Sequence, residues 1–250
     1  MPNQPRTRFV ILVAIVALLA ASCSGTAAVA ANHGGTTTTA ATGSVPDITL
    51  PPVPPSDYAG FRSQPVACGA AVPDSATPGT YSAPDDLGLD PSAPIAATIA
   101  TSCGDIVISL DPAAAPATVN SFVFLATAGY FDGTVFHRIL PGFVVQAGDP
   151  TATGRGGPGY TVPDELPSIG FHYGRGVVAM ANAGPDTGGS QFFIVLADTG
   201  LEANYTVFGE VEDGFDTLDR IAAVPLGTNP FGERSVPLET VYIESVTIER

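Results

Sequence analysis

The chain reads as mainly β, a closed antiparallel barrel with two helices, and three observations lead there. Short apolar runs rich in valine and isoleucine recur from residue 95 to the end, each bounded by glycine, proline or asparagine turns. Only two stretches carry helical spacing. The last run alternates, with Val241, Ile243, Val246 and Ile248 between polar neighbours and one slip allowed. Strands this short and numerous, joined by so little helix, favour a barrel over an α/β sheet.

Residues 1–22 read as a targeting segment. Arg6 and Arg8 make a positive start, and residues 9–19 form an uninterrupted apolar run too short to span a membrane comfortably. The run ends L-L-A-A-S-C, which resembles the lipobox of bacterial lipoproteins. Cys23 would then be acylated and would hold the protein on the outer face of the cell membrane. Ala20 stands where leucine is usual, and the alternative is an ordinary secretory signal. Residues 23–57 are rich in Ala, Thr, Gly and Pro, lack apolar periodicity and read as a disordered tether. Residues 58–93 form an extension that packs on the domain. Its acidic stretch D-D-L-G-L-D lacks the ligand spacing of a calcium loop.

The net charge is −15, with 9 basic residues, all arginine, against 24 acidic ones. No basic face could neutralise phosphates, which excludes nucleic acid as a partner. With Cys23 lipidated, Cys68 and Cys103 remain. Export brings oxidising conditions, so they read as a disulfide pinning the extension to the first strand, against the alternative of two buried thiols. No histidine or acidic cluster accompanies them, so neither a metal site nor a cofactor is expected.

Residues 94–250 make the domain. Residues 95–110 hold two strands around Cys103-Gly104-Asp105. Residues 116–128 form a helix, with Pro116 at its start, Gly129 past its end, and Val119, Phe122, Val123 and Ala126 facing a core. Two strands fall within residues 130–149. Single strands follow at 176–180, 190–196 and 205–211, a second helix at 214–223 with Phe215, Leu218 and Ala222 on one face, and a closing strand at 241–249. The glycine-rich loop 151–160 lacks the lysine and hydroxyl of a P-loop and reads as structural.

Two stretches carry the chemistry. F-H-R-I-L-P-G-F-V-V-Q-A-G-D, residues 136–149, sets Arg138 among apolar residues of strand type, with Pro141-Gly142 as a turn. A charged five-donor fork beside an apolar surface must meet a partner or a substrate. M-A-N-A-G-P-D-T-G-G-S-Q-F-F, residues 180–193, adds Gln191 and two phenylalanines. Together they resemble the signature segments of cyclophilin-type peptidyl-prolyl isomerases, a likeness that covers about residues 94–250. The resemblance implies an antiparallel barrel of about eight strands capped at each end by a helix. A barrel this small is packed solid, so substrate must bind its outer wall.

The same resemblance assigns roles. Arg138 is the catalytic donor, with a salt-bridged structural arginine as the alternative, and Gln146 orients it. Phe143, Val144, Phe193 and Leu201 form the proline pocket. Ala181 and Asn182 form the rim for the preceding residue, and Gln191 lines the same groove. Tyr205 stands where a histidine is usual, Val144 where methionine is common, and Gly200 where a tryptophan often precedes the pocket leucine. The missing tryptophan puts tight binding of cyclosporin-type inhibitors in doubt. His137 and His172 read as structural and loop residues. The substrates implied are proline-containing polypeptides of the envelope or outside it, met by a monomer. The rival is a catalytically silent scaffold that binds proline peptides. The isomerase reading requires Arg138 to overlook Phe193.

Overall fold

The computed structural model describes residues 52–76 and 78–250. The targeting segment, Cys23 and most of the tether lie outside them. Ten strands and three helices follow in the order α1 (Tyr58–Arg62), β1 (Ile95–Thr101), β2 (Gly104–Leu110), α2 (Pro116–Thr127), β3 (Arg138–Leu140), β4 (Val144–Ala147), β5 (Val177–Met180), β6 (Phe192–Val195), β7 (Val207–Asp213), α3 (Phe215–Ala222), β8 (Leu226–Thr228), β9 (Arg234–Pro237) and β10 (Ile243–Glu249).

Eight strands form one antiparallel sheet in the order β10-β1-β2-β7-β5-β6-β4-β3, and β8-β9 is a separate hairpin. The expected closure is not a continuous ladder. β3 and β10 remain the sheet's edges, and the chain ahead of each meets at a single bridge, Val135 with Tyr242. Phe136 donates to the Val241 carbonyl at 3.0 Å and Ile243 to that of Thr134 at 2.8 Å, so a few backbone bonds join the edges. β3 is only three residues long, too short to pair along a seven-residue β10.

Side chains alternate across the pleat. Ile139, Val145, Ala147, Phe192, Ile194 and Val178 point inward and join Ile99, Ile106, Phe122 and Phe208 in the main core. Their alternates Val144, Phe193, Val195, Ala179 and Val177 form a second apolar cluster with Leu140, Phe143, Leu201 and Tyr205. β5 and β6 are buried at every residue, V-V-A-M and F-F-I-V. Apolar surface on both faces explains why these runs read as continuous rather than alternating.

α2 buries Val119, Phe122, Val123 and Ala126, as its spacing predicts. Its N-terminus has no side-chain cap of its own. Glu165 supplies one from a distant loop, accepting from the Ala117 and Thr118 amides at 2.9 Å each. In α3 the face turns slightly from the expected one: Thr217, Leu218 and Ile221 are buried, while Phe215 and Ala222 are half-buried.

The segment before β1 wraps the domain. Asp57 caps α1 through the Gly60 amide at 2.8 Å, and Phe61 is buried against Val135, Val236 and Tyr242. Ala67 donates to the Thr240 carbonyl at 2.9 Å. Cys68 and Cys103 are joined by a disulfide. Further on, Tyr81 meets Phe124 edge to face at 5.0 Å. Among the described residues no helix is long and apolar enough to cross a membrane.

Candidate active site

A tight turn starts the site. Phe143 donates to the Leu140 carbonyl at 2.9 Å, and Gly142 has φ +75. Proline then glycine at the two central positions, the second left-handed, is a type II turn. It folds β4 back on β3 and makes Arg138 the register partner of Gln146. Gln146 is in turn the partner of Phe193 on β6. Register partners share a face, so three side chains far apart in sequence form one row on the outer wall.

That row borders a hollow of about 210 Å³ lined by Arg138, Phe143, Val144, Gln146, Ala181, Asn182, Phe193, Leu201 and Tyr205. These nine are all but one of the groove residues expected from the sequence. Gln191 lies in an adjoining groove of about 390 Å³, with Gly156, Thr187, Ala181 and Asn182. The pocket floor is held by aromatic edges: Phe193 meets Tyr205 edge to face at 5.3 Å. The Tyr173 hydroxyl donates to the Tyr205 carbonyl at 2.7 Å. Asn182 Nδ2 donates to the Asn204 carbonyl at 2.9 Å, which ties the rim to the loop before Tyr205. At that rim the Ala181 amide donates to the Gln191 carbonyl at 2.9 Å, so this donor does not face a ligand.

The polar edge is a relay of side chains. Arg138 Nη1 donates to Gln146 Oε1 at 3.3 Å. Gln146 Nε2 donates to Gln191 Oε1 at 3.0 Å, and Gln191 Nε2 to the Gly156 carbonyl at 2.9 Å. On its other side Arg138 gives Nε and Nη2 to the two oxygens of Glu233, at 2.8 and 2.7 Å. The salt-bridged alternative for Arg138 is thus also present, in the same side chain that lines the pocket. Sequence reasoning missed Glu233, for it lies 95 residues from Arg138 beyond a hairpin too short to predict.

The glycine-rich loop is folded on a carboxylate. Asp149 is fully buried and accepts from the Thr151 amide and hydroxyl at 2.7 and 2.8 Å, and from the Arg155 and Gly156 amides at 3.0 and 3.1 Å. Burial alone would raise its pKa; the bonds from Thr151 and Gly156 outweigh that and hold it below the usual carboxylate range. These amides serve Asp149 and not a phosphate. A Cβ on Gly156 would collide with Asp149 and Thr151, so the loop needs glycine there.

His137 and Arg138 take opposite fates. His137 is 7% exposed, and neither ring nitrogen has a hydrogen-bond partner among the described residues. Burial pushes its pKa down to about 4, so it stays neutral at ordinary pH. His172 sits on the surface beside Asp198 at 3.3 Å. Among the described residues no cluster of three or more histidine, cysteine or acidic side chains could hold a metal ion.

Known proteins share this chain's sequence and fold. Residues 96–248 match the model of the "Cyclophilin type peptidyl-prolyl cis-trans isomerase/CLD" family. Peptidyl-prolyl cis-trans isomerase B of Streptomyces anulatus is 48% identical over 172 residues, 61% of this chain and 95% of that protein. Peptidyl-prolyl cis-trans isomerase-like 3 of Rattus norvegicus is 44% identical over 155 residues, 60% of this chain and 94% of that one. The crystal structure of a Cryptosporidium parvum cyclophilin type isomerase matches with a TM-score of 0.56 at 32% identity, covering 63% of this chain and 99% of that one. The same Cryptosporidium protein, crystallised in the presence of the dipeptide Ala-Pro, matches at 33% identity with a TM-score of 0.56, covering 62% and 99%. With family model, sequence identity and fold in agreement, the chain belongs to the cyclophilin type peptidyl-prolyl cis-trans isomerase family.

Proposed function

We infer that this protein is a peptidyl-prolyl cis-trans isomerase that speeds X–Pro bond rotation in exported or envelope polypeptides and so assists their folding. Amide resonance sets a barrier of about 18–20 kcal/mol to that rotation. In the twisted transition state the prolyl nitrogen regains its lone pair. A donor aimed at that nitrogen stabilises the transition state beyond either ground state, which is what lowers the barrier. No nucleophile, metal or proton transfer is needed. Each tenfold acceleration takes about 1.4 kcal/mol.

In this reading Arg138 supplies the donor. Phe143, Val144, Phe193, Leu201 and Tyr205 hold the proline ring. Gln146 steadies Arg138, while Ala181, Asn182 and Gln191 take the residues before the proline. One observation carries the assignment: Arg138 and Phe193 flank Gln146 in a single row over one apolar hollow. The test is isomerisation of an Ala-Pro peptide by wild type and Arg138→Ala. Loss of most of the acceleration is expected. A wild type no faster than the uncatalysed reaction would leave a scaffold that binds proline without turning it, and equal accelerated rates would remove Arg138 as the donor.

The outer face of the cell membrane is the place we assign it, as a monomer anchored by lipid on Cys23. The apolar run 9–19 with its L-L-A-A-S-C ending supports this, as does the Cys68–Cys103 disulfide, which suits an oxidising compartment. Membrane-associated protein that becomes soluble on Cys23→Ser is the expected outcome; unchanged fractionation would sink the anchor.

A further inference from the structure

The carboxylate that grips Arg138 comes from the β8–β9 hairpin, which contributes nothing to the wall of the proline pocket. Its two oxygens meet Nε and Nη2 side by side, the fork-to-fork geometry that fixes direction as well as contact. The hairpin turn presents it. Asn229 Oδ1 accepts from the Phe231 amide at 2.9 Å and the Glu233 amide at 3.0 Å. The Asn229 amide donates to the Glu233 carbonyl at 2.8 Å. The hydrogen bonds from Arg138 hold the Glu233 carboxyl below its usual range against a smaller opposing effect of burial.

Both side chains are about one-third exposed, 32% for Arg138 and 35% for Glu233. A pair that wet adds little to stability, so its geometry matters more than its strength. A guanidinium has five N–H donors. Glu233 takes two and Gln146 one, on opposite sides of the group. Among the described residues one N–H on each Nη remains without a partner.

We propose that Glu233 is a positioning residue for isomerisation: with Gln146 opposite, it fixes the Arg138 guanidinium so that its remaining N–H groups aim into the proline pocket. Two influences of Glu233 oppose each other. Its charge offsets part of the field of Arg138, and its grip removes the freedom of a long side chain. The first is screened, because water reaches both groups. The second acts through the distance from donor to prolyl nitrogen, where a misplacement of ~1 Å costs about a hundredfold in rate. Orientation therefore dominates. This inference rests on the isomerase reading above.

The test uses the full chain and a peptide with one Ala-Pro bond, with NMR line shapes separating the on-enzyme rate from peptide affinity. Glu233→Ala is expected to slow on-enzyme isomerisation about tenfold, with affinity changed less than about threefold. Glu233→Asp recovers part of the rate, and Glu233→Gln falls between. Glu244→Gln, which removes a charge from the exposed side of β10, keeps the wild-type rate. Circular dichroism at the assay temperature reads the folded fraction. A Glu233→Ala protein as fast as wild type, or faster, overturns the proposal, as does a loss that only follows the unfolded fraction. In both cases the wild type is active and the isomerase reading stands. An inactive wild type overturns the two together.

Discussion

Arg138 and Phe193 lie two strands apart on one row of the sheet, with Gln146 the register partner of each. The carboxamide of Gln146 therefore spans from the polar edge of the site to its apolar floor. It accepts from Arg138 and donates to Gln191, which in turn donates to the loop at Gly156. Two strands and a glycine loop are held by one amide relay.

Cutting that relay should cost rate more than fold. Gln146→Leu removes one acceptor from Arg138 and leaves Gln191 Oε1 without its donor. A lost hydrogen bond to a charged group is worth about 1.5–3 kcal/mol, which corresponds to roughly a tenfold to hundredfold fall in kcat/KM. Thermal midpoints measured alongside should move only a few degrees. A variant with wild-type kcat/KM would show that Arg138 needs no support from β4.

Buried neutral His137 makes stability depend on pH in a defined window. Burial depresses its folded pKa to about 4 from the ordinary histidine value of 6.5. Between these values the unfolded chain binds the proton and the folded protein does not. The stabilisation is complete above about pH 6.5 and falls away as the pH drops toward 4, by up to about 3 kcal/mol. Urea denaturation at stepped pH should show that slope in the wild type and a flatter one in His137→Leu. A parallel slope in both would place the effect elsewhere.

Opening the Cys68–Cys103 bridge frees a loop of 35 residues. The chain-entropy model puts the loss at about 3–4 kcal/mol. Cys68→Ser with Cys103→Ser should therefore lower the denaturation midpoint in non-reducing buffer. Activity at low temperature should survive, since neither cysteine lines the pocket. Equal stability of the oxidised wild type and the double variant would count against a structural role for the bridge.

At Gly200 an added Cβ meets nothing within 4 Å, so the chain beside Leu201 is open just where the family resemblance implies a tryptophan. The wild type should bind cyclosporin-type inhibitors weakly. Gly200→Trp would return a large flat contact beside Leu201 and should tighten inhibition about tenfold or more. A titration showing tight, stoichiometric block of the wild type would refute this.

Most of the main sheet, both longer helices and most of the pocket were legible along the chain, whereas α1 and the β8–β9 hairpin were not. The 3.6-residue spacing around Phe122 set α2, Pro141-Gly142 set the β3–β4 turn, and the residue-by-residue likeness of 136–149 and 180–193 marked seven neighbours of one hollow, to which the likeness further along the chain added Leu201 and Tyr205. The helix and the turn are local signals, written in periodicity and turn chemistry, and the pocket residues are what the family resemblance implied. What the tertiary structure alone decided is relative placement. Pairing β4 with both β3 and β6 put Arg138 over Phe193. It left the barrel wall joined at one bridge between Val135 and Tyr242 rather than closed by a full ladder. It also brought Glu233 across 95 residues on a hairpin of three- and four-residue strands to grip the arginine. No local pattern encodes such a meeting, because an ion pair between distant residues depends on where the whole chain folds back, not on which residues stand beside each other along it.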